Sequence, residues 1–223
     1  MKDSLRTLLF SVILGVVCAG LLSAASEWLR PYQQANAEAE RWRNVFGVLD
    51  VPFDEQAPAA ELLKLVRTKD NPSGKVAQRE VQVGRAKGEA LTIYEYDHPA
   101  AGRLRAVEFH GPGLWGPVEG LLCLKSDLKT VFRISFYKNE ETPGLGAEID
   151  APPFRNQFRD KTIAPAGGTP GIRVVKPDSA IGDNQVDGIS GATLTCDKVE
   201  AMLKEISEKI QTHREAIGKE AGQ

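Results

Sequence analysis

The run Asp187-Gly188-Ile189-Ser190-Gly191-Ala192-Thr193 consists mostly of small residues and ends in a hydroxyl where an amphipathic helical pattern begins. A helix start exposes unpaired N–H groups and the positive end of the helix dipole, so it stabilises a bound phosphate, and glycine and alanine let that phosphate approach closely. The Thr193 hydroxyl would stand within reach of it. The same residues also compose an ordinary turn and cap, with Asp187-Gly188 turning the chain and Ser190 or Thr193 capping the helix. Both readings are open on the local residues. Glu140-Glu141 and Glu148 with Asp150 offer carboxylates, but such groups are common on solvated surfaces and no second feature marks them for hydrolysis. His98, His110 and His213 are scattered and there is no Cys-x-x-Cys, so no metal site is expected. The sequence also lacks a Gly-x-Ser-x-Gly elbow, a Walker loop and a dinucleotide fingerprint.

The elements that must position the Thr193 run follow from periodicity. A helix over 192–217 places Val199, Met202, Leu203, Ile206 and Ile210 on one face, which is expected to pack on a sheet. Leu91–Tyr96, Leu104–Phe109, Val118–Lys125 and Thr130–Tyr137 read as strands, and short connections such as Ser126-Asp127 favour antiparallel hairpins. Pro152-Pro153 and residues 164–170 read as loops, and residues 172–175 add a strand. Ahead of the sheet, residues 35–49 form a charged helix with Val45, Phe46 and Leu49 on its apolar side. A shorter helix is expected over 58–66, and Asn71-Pro72-Ser73-Gly74 breaks the chain.

The N-terminal run from Leu8 to Ala25 is uncharged and, at about 1.5 Å per residue, near the lower limit for crossing a bilayer core. A retained membrane anchor is the favoured reading. A cleaved signal peptide is the alternative, with Lys2 and Arg6 as its basic start and Ser23-Ala24-Ala25 as its cleavage site. Lys and Arg total 28 against 30 Asp and Glu, so no basic field draws the chain to nucleic acid. Of the three cysteines, Cys18 lies in the apolar run, and Cys123 with Cys196 form either one disulfide or two buried thiols. The expected class is α+β: a single transmembrane helix, then an antiparallel sheet with packed helices. Its expected parts are an anchor with a short cytoplasmic tail at 1–30, a helical stalk or linker region at 31–88 and a binding domain at 89–223.

Asp-Gly-Ile-Ser-Gly-Ala-Thr at 187–193 resembles the flavinylation motif of the FMN-binding domain family, found in the C subunit of the sodium-translocating NADH:quinone reductase and the G subunit of the Rnf complex. Glu141-Thr142-Pro143-Gly144-Leu145-Gly146 is similar to the family's flavin-contacting loop. Gly113-Leu114-Trp115-Gly116 resembles a Gly-Leu-Trp segment on the reductase side of the family, and Leu29-Arg30-Pro31 follows the apolar span as in the family. Residues 51–87 match nothing in that pattern.

The resemblance implies FMN joined to Thr193 through a phosphoester, with Asp187 and Gly188 in the motif and Ser190, Gly191 and Ala192 keeping the loop small. A separate, metal-dependent flavin transferase would make the bond, and Asp187 would serve either that enzyme or the turn itself. Trp115 and Leu145, with Leu114 beside them, would cover the ring, while Glu141 and Thr142 would hydrogen-bond ribityl or ring-edge groups around the Pro143-Gly144 turn. The implied function is electron carriage in a multi-subunit membrane NADH:quinone oxidoreductase of the bacterial inner membrane, with the main domain periplasmic and no NADH site in this chain. Alternatives are an Rnf-type subunit, a stand-alone anchored flavoprotein shuttle, and a non-redox anchored binding module.

Overall fold

The computed structural model describes residues 2–83, 90–180 and 182–219, with side chains from residue 5 onward. The expected boundary at residues 88 and 89 lies outside the described residues. Internal contacts divide the chain into two units, residues 1–40 and 41–223.

The first unit is the leading part of helix α1 (Lys2–Leu49). Its apolar stretch reaches a mean hydropathy of 2.5 with none of that stretch buried, so the helix is long and apolar enough to cross a membrane. Pro31 sits inside it without ending it, although proline removes one N–H from the ladder.

The second unit is an α+β domain. Six strands form one sheet in sequential order: β1 (Val66–Arg67), β2 (Val76–Gln82), β3 (Ala90–His98), β4 (Gly102–Pro112), β5 (Pro117–Leu124) and β6 (Val131–Lys138). All neighbours pair antiparallel except β1 with β2, which are parallel, so the sheet is mixed where an antiparallel one was expected. The segment expected as a helical stalk is corrected by the same pairing. After α1 ends at Leu49, only α2 (Ala59–Leu62) and one 3₁₀ turn are helical there among the described residues, while Val76 to Gln82 pairs along its length with β3. The Val76, Ala77 and Val81 side chains are buried, which the polar residues between them obscure in the sequence.

Both faces of the sheet are covered, which is why its central strands read as nearly continuous apolar runs. On one face lies α4 (Thr193–Thr212), whose Val199, Met202, Leu203, Ile206 and Ile210 join Ile93, Val107, Leu122 and Phe136 in a single core. Met202 packs at Gly111, where a side chain would collide with it. Phe154 and Phe158 extend this core, and Pro152-Pro153 begin helix α3 (Pro152–Arg155) instead of the expected loop. Proline suits a first helical turn, where its missing N–H has no partner to lose. On the opposite face the last turns of α1 bury Trp42, Val45, Phe46 and Leu49, with Trp42 edge-on to Tyr94 at 5.6 Å. A separate parallel pair, β7 (Arg173–Val175) and β8 (Gln185–Asp187), leads into α4.

The expected helix to residue 217 breaks at His213 and resumes as α5 (Arg214–Gly218). A buried charge cluster holds that end. Glu95 accepts from Arg105 Nε at 2.8 Å and from Arg79 Nη2 at 3.0 Å, and the two guanidinium groups also donate to the carbonyls of Ile217 and Gly218. Removing the carboxylate leaves two largely buried cations uncompensated. Glu95→Ala is therefore expected to lower stability by about 3 kcal/mol or more, measured by urea unfolding.

Candidate functional site

Three segments separated in sequence meet on one buried carboxylate. Glu141 follows β6 and is only 5% exposed. Its Oε1 accepts from the N–H of Leu114 at 2.7 Å and of Trp115 at 3.2 Å, at the tip of the β4–β5 hairpin. Its Oε2 accepts from Thr195 Oγ1 at 2.7 Å, in the first turn of α4. Glycine makes the approach possible: a Cβ at Gly113 would lie 2.4 Å from Oε1, and one at Gly146 would lie 2.7 Å from Oε2. Both oxygens thus serve protein donors. Glu141 positions the loops.

The loop after Glu141 closes as a tight turn, with Leu145 N and Ala147 N both donating to the Thr142 carbonyl at 3.1 Å. Gly144 stands at φ +74°, as the third position of a type II turn demands. Thr142 and Leu145 are left exposed. Across from this turn, Gly191 adopts φ +79°, and a side chain there would come within 3.0 Å of Leu145 Cδ2.

The 187–193 run is the connection from β8 to α4. Asp187 ends β8, where its Oδ1 accepts from Ser179 N at 2.7 Å and Ala180 N at 2.9 Å, so it does stabilise a turn. Gln157 clamps the Asp187 backbone through its N–H, at 2.7 Å. Gly188 N donates to Val175 O at 2.8 Å, and a Cβ on Gly188 would press on that carbonyl. Ser190, Gly191 and Thr193 are exposed or partly so, and Ala192 is buried. Neither Ser190 nor Thr193 caps the helix. Thr193 is the first helical residue, Ala192 stands at the cap position, and no side chain fills that role. The exposed start of a 20-residue helix is therefore open to an acceptor from outside.

The surface around this start is apolar. Trp115 is 70% exposed, and Leu114, Leu145 and Leu194 are each more than 40% exposed. In the second unit only Leu63 joins them among the described large hydrophobic residues that stand exposed. Scattered exposure of that kind is ordinary, but here four such residues sit on segments tied together by Glu141. The hairpin tip also walls an open pocket of about 550 Å³ that contains Leu114 and Trp115. Sequence reasoning missed Thr195 and Leu194. Leu194 carries a signal, since an apolar residue there falls off the face defined by Val199, Met202 and Ile206.

Cys123 and Cys196 are both free thiols, so the two-thiol alternative holds and the disulfide does not form. Burial pushes each thiol above its ordinary range, and Cys196 Sγ accepts from Ile189 N at 3.4 Å within the motif turn. A thiol kept protonated in this way is a packing group and not a nucleophile.

Residues 113–208 match the FMN-binding domain family, a range that includes all three segments. The chain is similar to the C subunit of the Na(+)-translocating NADH-quinone reductase of Vibrio anguillarum, 30% identical over 228 residues and covering 89% of each chain. It is also 30% identical to the corresponding subunit of Yersinia pestis over 232 residues, covering 89% of this chain and 87% of the other. The crystal structure of the C subunit from Parabacteroides distasonis superposes with a TM-score of 0.68 at 24% identity, covering 86% of this chain and 98% of that one, and so shares the fold. With identity and coverage of this order across almost the whole length, the chain belongs to the family of C subunits of Na(+)-translocating NADH-quinone reductases.

Proposed function

We propose that this chain is the electron-carrying C subunit of a Na(+)-translocating NADH-quinone reductase, holding FMN through a phosphoester on Thr193 Oγ1. The observation that carries the proposal is the meeting, on Glu141, of an uncapped helix start and loops that expose apolar side chains. The residues fit the group. The free N–H groups and dipole of the α4 start favour the phosphate, and small residues at 190–192 leave it room. Trp115, Leu114 and Leu145 give the apolar faces that an isoalloxazine needs, with Leu194 as a fourth wall. The Thr142 hydroxyl and the backbone of the Pro143-Gly144 turn remain to meet polar edges.

FMN, when bound, supplies the redox chemistry. The chain's own work is to orient and retain it. A threonine hydroxyl is a weak nucleophile, and nothing described around Thr193 activates it, so attachment falls to a separate flavin transferase. The exposure of Gly191 and Thr193 supports that route, since a second enzyme can reach them. Asp187 has one oxygen engaged by its own turn and would contribute mainly by shaping the loop the transferase meets. We further propose that α1 is a single-pass inner-membrane anchor with the domain on the periplasmic side, where covalent retention matters because a lost flavin is not readily replaced. NADH oxidation and ion movement would reside in partner subunits, because one helix does not form an ion pathway.

Two outcomes test this. When the chain is co-expressed with its flavin transferase, wild-type protein is expected to show a fluorescent band on a denaturing gel and an intact mass raised by one flavin phosphoester; Thr193→Ala is expected to show neither. A flavin-bearing Thr193→Ala would place the bond elsewhere. Thr195→Val leaves Glu141 Oε2 buried without a donor and is expected to cost about 1–3 kcal/mol of stability, whereas Thr195→Ser keeps the bond. Thermal unfolding of the two variants, each with flavin content measured alongside, separates the positioning of the loops from attachment itself.

A further inference from the structure

A cavity of about 300 Å³ lies between the last turns of α1, strand β6 and the α3 turn, and it shares no lining residue with the Thr193 site. Arg43, Arg133, Arg155 and Arg159 line it together with Phe132, and no carboxylate or lysine does. All of these residues belong to the second unit.

Two of the four charges are compensated at the margin. Arg133 Nη1 donates to Asp50 at 2.9 Å, and Arg155 stands 3.6 Å from Asp150. Even so, the buried Nε of Arg155 has no hydrogen-bond partner. The nearby Asp160 is engaged by Lys125 at 2.6 Å. The other two are less fully compensated: Arg43 makes no ion pair among the described residues, and Arg159 acts on the Asp160 carboxylate only at longer range, alongside Lys125. Arg43 donates to the backbone carbonyls of Glu55 and Ala57, each at 2.9 Å, and Arg159 lies 6.0 Å from the Phe132 ring centroid in a cation–π contact. At the end of α1, Arg133 Nη1 also donates to the Gly47 carbonyl at 3.1 Å, and the Val51 N–H donates to that of Phe46 at 2.9 Å.

Arg43 and Arg133 are fixed by these carbonyl bonds and so keep their charge at the cavity wall. Like charges gathered in one concavity repel and raise its affinity for an anion. Guanidinium groups present forked donors that match the oxygens of phosphate, and a cavity of this size is at the small end of ligand sites. We propose that this cavity is a second anion site, one that binds a phosphate group either as a free soluble phosphate or as the head of an anionic phospholipid.

The experiment uses the full-length, flavin-loaded chain in detergent, so that the α4 start is already occupied. Binding of inorganic phosphate, and separately of a short-chain phosphatidic acid, is followed by calorimetry against chloride at matched ionic strength. Saturable binding is expected, and Arg159→Gln is expected to weaken it about tenfold or more with an unchanged unfolding midpoint in chloride. Arg159 makes a ring contact and a longer-range charge interaction with Asp160, with no side-chain hydrogen bond among the described residues, so the variant should fold; should it not, Arg159→Lys, which keeps charge without the fork, and Arg155→Gln provide the comparison. Binding of inorganic phosphate identifies a soluble anion, and binding of phosphatidic acid alone identifies a lipid head. A response no larger than that of chloride, or equal affinity in wild type and the Arg159 and Arg155 variants, overturns the proposal. Weakened phosphate binding in a flavin-loaded Arg159→Gln chain concerns this cavity, and loss of flavin from Thr193→Ala concerns the other site, which keeps the two results separate.

Discussion

The carboxylate of Glu141 is the constraint around which the candidate site is assembled. It accepts from two hairpin N–H groups and one helix hydroxyl, so segments that are far apart in sequence share one acceptor. Buried at 5% exposure, it needs every one of those donors, and each segment in turn is fixed by needing it. The glycines at 113 and 146 stand beside it because any side chain would occupy its oxygens' space. What these segments do not bury is as informative. Each turns an apolar side chain outward to solvent, against the usual tendency of such residues.

That arrangement depends on the layers beneath it. The hairpin tip is held at a defined height because β4 and β5 pair from Arg105 and Leu124 out to Pro112 and Pro117. The helix start is held because α4 is pinned along its length by the sheet-facing core. Rigid elements with a site at their ends are the common solution for holding a ligand in a fixed place. The opposite face of the sheet is closed by the last turns of α1, so the end of that helix is part of the domain's own packing.

The parts of this structure governed by local pattern are legible in the sequence. Strands β3 to β6 read as alternating or apolar runs between turn residues, the α4 face follows period-3.6 spacing, and Pro143-Gly144 carries its turn type in its own chemistry. The motif at 187–193 is legible as a group, through its likeness to a family and not through its letters. The rest is decided by tertiary contact. Val76 to Gln82 alternates poorly and becomes a strand because β3 offers an edge to pair with. Glu141 can be placed in the site from the sequence, but its role cannot, since no pattern announces that Thr195, 54 residues on, will face it. Pro152-Pro153 reads as a break and is a beginning, because proline terminates and initiates helices with the same ring.

The latch between the sheet and α5 has a consequence for biogenesis. Arg79 reaches a carbonyl 138 positions later in the chain, and Arg105 reaches one 113 positions later. A polypeptide delivered from its amino end first holds both cations and the Glu95 carboxylate long before their carbonyl partners exist. Closure of the latch therefore waits for the last helical turn to emerge. The hydroxyl-bearing turn at the head of α4 lies between the sheet and that partner in the chain, so it is made before the latch can close.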